Sequence, residues 1–240
     1  MENNGTNAAS FEVSRHELKF NLNFMQFSRL SKSLENVMLK DPHNGADGYT
    51  VRSLYFDTYA ETDFYDKLAG IENRKKIRLR VYSPGTENVK LEIKRKFGDE
   101  QVKNSAVISR NDARRLINCD YSAPAKYQNK TAGMIYRIMR INHVRPVALV
   151  EYRRKAFVHP TNNIRITLDT HICSSETFFD IFTDNPVLTP VDEFAFALAE
   201  VKYDAFIMRW LSDLLSDYGF NRIAYSKYVM SRGIFGRYLA

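Results

Sequence analysis

Basic side chains recur at every second position in several segments of this chain. Arg15, Glu17 and Lys19 form one such row; Arg78, Arg80 and Tyr82 form another. Lys90, Glu92, Lys94 and Lys96 follow, then Arg165, Thr167 and Asp169, then Glu200 and Lys202. A spacing of two places side chains on one face of an extended strand. The intervening residues are apolar: Ile77, Leu79 and Val81; Val89, Leu91 and Ile93; Ile164, Ile166 and Leu168; Ala199, Val201 and Tyr203. Arginine offers a planar fork that matches phosphate oxygens, and lysine adds a point charge. The interleaved glutamates can pair with these cations or hold a divalent metal carried on phosphate. An ordinary wet sheet face also alternates polar with apolar residues. Here the polar face is mainly Arg and Lys, where an ordinary one would also use Thr, Ser and Gln, and that pattern points to a polyanion of the triphosphate or polyphosphate class.

The elements that carry these rows are strands. The pattern predicts strands over Val13–Leu22, Tyr49–Phe56, Arg74–Tyr82, Asn88–Phe97, Val144–Val158, Asn163–Thr170 and Phe194–Tyr203. Ser83-Pro84-Gly85-Thr86 joins two of them as a hairpin, because Pro presets φ and Gly accepts φ > 0. Apolar residues at helical spacing predict helices over Met25–Leu39, Ser109–Ile117, Tyr127–Ile141 and Ala205–Tyr218. Ser109 reads as an N-cap and Gly219 as the residue that stops the last helix. Helices interrupt the strands without alternating regularly with them, which predicts an α+β fold built on an antiparallel sheet. Helices on the apolar side would leave the charged side to curl inward as a barrel lining. Such an interior repels itself unless anions, water and paired carboxylates fill it.

Bulk composition is consistent with that reading. The chain has 240 residues, 44% of them hydrophobic, enough for one sizeable core. We expect a disordered start over residues 1–10 and a single domain over 11–240. Lysine and arginine number 35 against 28 acidic residues, a net charge of +7 that favours anionic partners. No apolar run approaches the ~20 residues of a membrane helix, and the polar start lacks a signal-peptide core. Cys119 and Cys173 have no metal-type spacing, and predict a reducing, cytoplasmic setting. The five histidines, His16 among them, are scattered; His16 falls on the outward face. There is no glycine-rich phosphate loop, so side chains must hold any nucleotide. Arg74-Lys75-Lys76 reads as a solvated patch. Few aromatics interleave the basic positions, which argues against nucleic acid.

The ordered set of segments resembles the VTC domain, the polyphosphate polymerase branch of the triphosphate tunnel metalloenzymes, or CYTH-like proteins. It runs from Arg15-His16-Glu17-Leu18-Lys19-Phe20 through Ser53-Leu54-Tyr55-Phe56-Asp57-Thr58, Lys76-Ile77-Arg78-Leu79-Arg80-Val81-Tyr82 and Leu91-Glu92-Ile93-Lys94-Arg95-Lys96. Tyr152-Arg153-Arg154-Lys155-Ala156-Phe157, Arg165-Ile166-Thr167-Leu168-Asp169-Thr170, Leu198-Ala199-Glu200-Val201-Lys202 and Ser226-Lys227-Tyr228 complete it. The resemblance implies an eight-stranded antiparallel β-barrel, a tunnel, with helices packed outside. It also implies that Lys19, Arg78, Arg80 and Lys94 grip nucleotide and polyphosphate, with Arg154, Arg165 and Lys227 as further phosphate-binding residues of the catalytic set. Tyr152, Ser226 and Lys202 fall among the substrate-binding positions. Glu200 matches a carboxylate that binds Mn2+ or Mg2+, and Glu17 matches an acidic metal position of related triphosphatases. Arg153 and Arg154 are adjacent, and the spacing alone leaves open which one points inward. Arg154 is preferred because it leads into Lys-Ala-Phe and shares a face with Tyr152.

The implied function is a polyphosphate polymerase that transfers the ATP γ-phosphate to a growing inorganic polyphosphate chain. A tripolyphosphatase or nucleoside triphosphatase on the same scaffold is the alternative enzyme. A non-catalytic polyphosphate-binding module would need the cations but not Glu200. Eukaryotic relatives carry transmembrane segments; none is visible here, so the protein would either act in the cytosol or depend on a membrane partner for translocation of the product.

Overall fold

A computed structural model of the protein describes residues 15–98, 100–191 and 195–233. The expected disordered start, and the ends of two expected strands at Val13 and Phe194, lie outside these residues.

Alternation becomes strand wherever one face can be buried. The strands are β1 (Arg15–Leu22), β2 (Leu39–Lys40), β3 (Tyr49–Asp57), β4 (Arg74–Val81) and β5 (Asn88–Phe97), followed by β6 (Glu100–Ser109), β7 (Arg145–His159), β8 (Ile164–Ser175), β9 (Thr189–Pro190) and β10 (Ala197–Asp204). Eight of them form one antiparallel path in the order β1-β10-β8-β7-β3-β4-β5-β6, with β2 added on β7 and β9 on β8. Between them lie α1 (Phe24–Val37), α2 (Thr62–Leu68), α3 (Arg110–Ile117), α4 (Lys130–Asn142), α5 (Arg209–Asp217) and α6 (Lys227–Arg232). None of the described helices is long and apolar enough to cross a membrane.

Two apolar clusters sit on the outer face of the sheet. Leu79, Leu91 and Ile93 pack with Leu116 of α3 and Ile135 and Met139 of α4. Phe20, Ile166 and Val201 pack with Leu30 and Leu34 of α1 and Leu211 of α5. These are the apolar residues between the basic positions, so the charged rows face inward. α6 and α2 are the exceptions among the helices. Tyr228 of α6 packs against Val51, Tyr55, Val150 and Tyr152 on the inner side, and Phe64 of α2 packs against the same cluster. The inner wall given by β3 and β7 is therefore largely apolar and aromatic, while β1, β4, β5, β8 and β10, with Arg154 of β7, carry the charge.

The eight-strand path does not close through backbone pairing. Among the described residues no ladder joins β1 to β6. Side chains bridge the seam instead, with Glu17 of β1 lying 3.5 Å from Lys94 of β5. Long charged side chains hold the strands at ion-pair reach, where a ladder would need a spacing of about 4.8 Å.

Several elements depart from the sequence expectation. β6 is rich in Glu, Gln, Lys and Asn, and only Ala106 and Ile108 of it are buried, so its alternation is weak. α2 and α6 have seven and six residues, too few to show a helical period. β8 runs on to Ser175 past an extra residue at the register shift opposite Glu151 and Arg153; His171 there takes φ 50. Gly219 follows α5 with φ 59, as its place in the sequence predicts.

Candidate functional site

Strand register brings the charged rows together. Glu17 lies opposite Lys202, and Lys19 opposite Glu200, across β1 and β10. Lys202 lies opposite Arg165 across β10 and β8, and Arg154 opposite Asp169 across β7 and β8. Arg78 faces Glu92, and Lys76 faces Lys94, across β4 and β5. The rows surround an inner cavity of about 340 Å³. Glu17, Lys19, Arg78, Arg80, Lys94, Tyr152, Arg154, Arg165, Glu200, Lys202, Ser226 and Lys227 all line it. These are the twelve positions singled out in the sequence. A second cavity of about 500 Å³ adjoins it and shares Glu17, Lys19, Lys76, Lys94 and Ser226. The two cavities meet at these shared residues, the waist between them.

Deep in the first cavity, charges are paired. Arg154 grips Asp169 with two bonds, Nε at 2.6 Å and Nη2 at 2.7 Å. Lys227 Nζ lies 2.6 Å from Asp169 and 2.9 Å from Glu200. Lys202 Nζ donates to the other Glu200 oxygen at 3.2 Å. Burial alone would raise the Glu200 carboxyl, but Lys227, Lys202 and Lys19 outweigh it and hold it well below the carboxylate range. Glu17 takes Lys19 at 3.0 Å and Lys94 at 3.5 Å. Burial opposes its charge too, yet Lys19, Lys202 and Lys94 bring it down to about 2. Tyr152 is a platform under this group, with Lys227 4.8 Å and Arg154 5.1 Å from its ring centre.

Along β4 the cations outnumber their partners. Arg78 pairs with Glu92 at 2.7 Å and reaches the Tyr55 hydroxyl at 3.3 Å. Arg80, 8% exposed, bonds neutral groups among the described residues: the Ser53 hydroxyl at 3.0 Å, the Tyr152 hydroxyl at 3.4 Å and the Tyr82 hydroxyl. Lys76 donates to the Ser226 hydroxyl at 2.8 Å. Among the described residues no carboxylate lies within ion-pair distance of either Arg80 or Lys76. Partial burial, and then Lys67, Lys19, Lys94 and Arg74, push Lys76 down to about 7. In all, ten lysines and arginines line the inner cavity against three glutamates. Asp169 and Asp41 do not cancel that excess, which calls for a bound polyanion.

Both open points of the sequence are decided by the fold. Arg154 points inward, while Arg153 is exposed on the other side of β7. The Arg74-Lys75-Lys76 run is not merely solvated: all three line the second cavity, and Lys75 pairs with Asp63 at 2.8 Å. His16 is exposed on the outside and stacks on Tyr203 at 5.1 Å. Sequence reasoning passed over Lys76, Glu92, Lys103, Asp169 and Tyr55 as site residues. The period of two already placed Lys76, Glu92 and Asp169 on inward faces, whereas Lys103 sat in the unpredicted β6.

Glu200 and Glu17 are the carboxylates best placed for a metal. Among the described residues no three His, Cys, Asp or Glu side chains gather into a metal-binding group. All four oxygens of the two glutamates have lysine neighbours. Hard, ionised oxygen donors of this number fit Mg2+ or Mn2+ that arrives on phosphate oxygens, since such ions are commonly held by one or two carboxylates plus substrate. They do not make a preformed cage.

Comparison with known proteins bears on this site. A putative adenylate cyclase from Bacillus halodurans superposes with TM-score 0.53 at 12% identity, over 89% of this chain and 95% of its own. A putative adenylyl cyclase from Hippeastrum, described as having a dominant triphosphatase activity, superposes with TM-score 0.55 at 13% identity, over 91% and 94%. At such identities the likeness is one of fold, that of the tunnel proteins. No curated protein matches the sequence. The VTC domain signature matches residues 14–235, a span that holds every inward-facing cation and carboxylate described above. With that match over nearly its whole length, and a curled antiparallel sheet around a basic interior, the chain belongs to the VTC domain family.

Proposed function

We propose that this protein is a metal-dependent polyphosphate polymerase that transfers the ATP γ-phosphate to the end of an inorganic polyphosphate chain. The observation that carries this reading is the excess of interior cations, with Arg80 and Lys76 set in a passage of two adjoining cavities. One cavity suits a triphosphate and the other a growing chain, and the two meet at the waist.

The reaction forms a bond from the terminal oxygen of the acceptor chain to the γ-phosphorus. It breaks the bond from that phosphorus to the β,γ-bridging oxygen, and ADP leaves. The attacking oxygen is already anionic, so no general base is needed. Catalysis is then mainly positioning and charge neutralisation. Arg78, Arg80 and Lys94 grip the triphosphate. Arg154 and Lys227, oriented by Asp169, present donors from below, with Tyr152 excluding water. Lys19, Lys76 and Ser226 hold the incoming chain end at the waist. Arg165 adds charge beside Tyr49, and Lys202 adds it beside Glu200. Glu200, with Glu17 beside it, would hold a divalent metal that neutralises developing phosphate charge when bound.

A triphosphatase is the second reading, favoured by the activity described for the Hippeastrum neighbour. It would keep the lining and deliver water in place of an acceptor chain.

Incubation with ATP, Mn2+ and a short polyphosphate primer, resolved on a gel with ADP and free phosphate quantified, separates the readings. A growing ladder with ADP is expected. Arg80→Ala should slow it by about 10²–10³-fold, as loss of one preorganised charge-stabilising donor does, and Glu200→Ala should also abolish the metal response. Free phosphate without a ladder would move the assignment to hydrolysis. Primer binding without turnover, kept in Glu200→Ala, would leave a binding module.

A further inference from the structure

The two ends of the passage differ in kind. The second cavity opens among Lys67, Arg74, Lys96 and Arg222. The first opens beside exposed aromatic rings. Tyr82, next in the row after Arg78 and Arg80, is 44% exposed and lines the cavity. Tyr49 lies against it, with ring centres 6.0 Å apart and planes at 58°. His43 continues the series at 6.2 Å from Tyr49.

These rings are held in place by polar groups. Arg165 reaches the Tyr49 hydroxyl at 3.3 Å and pairs with Asp41 at 2.7 Å. Asp41 also takes His43 Nδ1 at 2.8 Å. Lys90 Nζ sits 5.0 Å from the Tyr82 ring centre. Lys90 is exposed, so its flexible side chain can swing aside for a larger π-system. Tyr82 belongs to none of the apolar core clusters. An exposed ring that adds nothing to the core, fixed at the mouth of a phosphate-selective cavity, has the makings of a stacking platform.

We propose that Tyr82, backed by Tyr49, is the subsite for the base of a nucleoside triphosphate whose phosphates enter the cationic interior. This rests on the triphosphate-binding reading above and assigns the part of the ligand that the cations cannot recognise. From Tyr82 to Lys76 the chain covers about 20 Å at ~3.3 Å per residue, long enough to carry a base at the mouth and phosphates as far as the waist. Stacking uses the π-face alone, so the subsite accepts different bases and favours the larger purines.

The test compares ATP with inorganic tripolyphosphate, which has the same three phosphates in line, one more ionisable oxygen and no base. Binding of both is measured by calorimetry for wild type, Tyr82→Ala and Tyr82→Trp. Tyr82→Ala should weaken ATP by about 5- to 100-fold, the range of base–aromatic stacking. Tripolyphosphate affinity should change by less than about twofold, which also reports that the variant is folded. Tyr82→Trp should restore ATP binding. Equal responses to the two ligands, or no response to either, would overturn the stacking subsite while leaving the phosphate site standing. Wild-type protein that binds neither ligand would overturn both.

Discussion

Lys76 and Arg80 are cations in the same passage without a carboxylate at ion-pair distance among the described residues, and they respond to that differently. A guanidinium is effectively never deprotonated. Lys76 can shed a proton, and burial with four neighbouring cations brings it down to about 7 from the ordinary lysine value of 10.5. Its folded value lies below its unfolded one. Between these two the unfolded chain binds more protons, so this residue's contribution to stability rises with pH across that window. A bound polyanion favours the charged ammonium. Tripolyphosphate binding at pH 8 should therefore take up a proton at Lys76. Calorimetry in buffers of different ionisation enthalpy reads this directly. Lys76→Met should remove that part of the uptake, and equal uptake in both proteins would count against a neutral Lys76 in the empty tunnel.

At the scale of elements, α6 makes the site possible. It is six residues long, begins at the capping residue Ser226, and lies with α2 on the inner side, where α1, α3, α4 and α5 cover the outside. Tyr228 anchors it by donating a hydrogen bond to Asp57 and stacking on Tyr55 at 5.2 Å. Arg232 ties its far end to Glu61 and Glu176. These contacts set where Lys227 and Ser226 stand against Asp169, Glu200 and Lys76. Tyr228→Phe removes one buried hydrogen bond; Asp57 still accepts from the amides of Thr58, Asp63 and Phe64. The expected loss is about 1 kcal/mol in urea unfolding, with weaker tripolyphosphate binding because Lys227 is less firmly placed. His16→Ala, on the outer face, should change stability by less than about 0.5 kcal/mol and leave binding intact.

Across the whole molecule, curvature comes from apolar packing outside and is held by charge inside. The open seam is spanned by Glu17 of β1, which reaches Lys94 of β5, and Arg78 and Lys103 are held to the wall by Glu92. Burial would raise both carboxyls, but the surrounding cations bring each to about 2, below the ordinary 4.5. A folded value that is depressed gives stability present above 4.5 and lost as pH falls through about 2. The urea midpoint should therefore decline between pH 4.5 and pH 2. Glu92→Gln leaves Arg78 and Lys103 without their carboxylate, so it should be less stable than wild type at pH 7. The gap should close towards pH 2, where wild-type Glu92 is also neutral. A gap that stayed constant over this range would mean that Glu92 acts by shape and not by charge.

The sequence by itself determined which side chains share the inward face. That information is local, because a strand turns over every two residues and the apolar partners of Arg78, Lys94 or Glu200 are its immediate neighbours. The same local logic gave the four longer helices and the stop at Gly219. It was weakest where the period was short or diluted, as in β6, α2 and α6. The tertiary structure alone decided who meets whom across the interior. Lys227 reaches Asp169 and Glu200, Tyr228 reaches Asp57, and Tyr82 meets Tyr49, because sheet pairing and the inward turn of α6 bring distant segments together. It also decided between Arg153 and Arg154, and left the seam between β1 and β6 without a ladder. A repeat of two specifies a face, whereas a site depends on the register and curvature that pack those faces against one another.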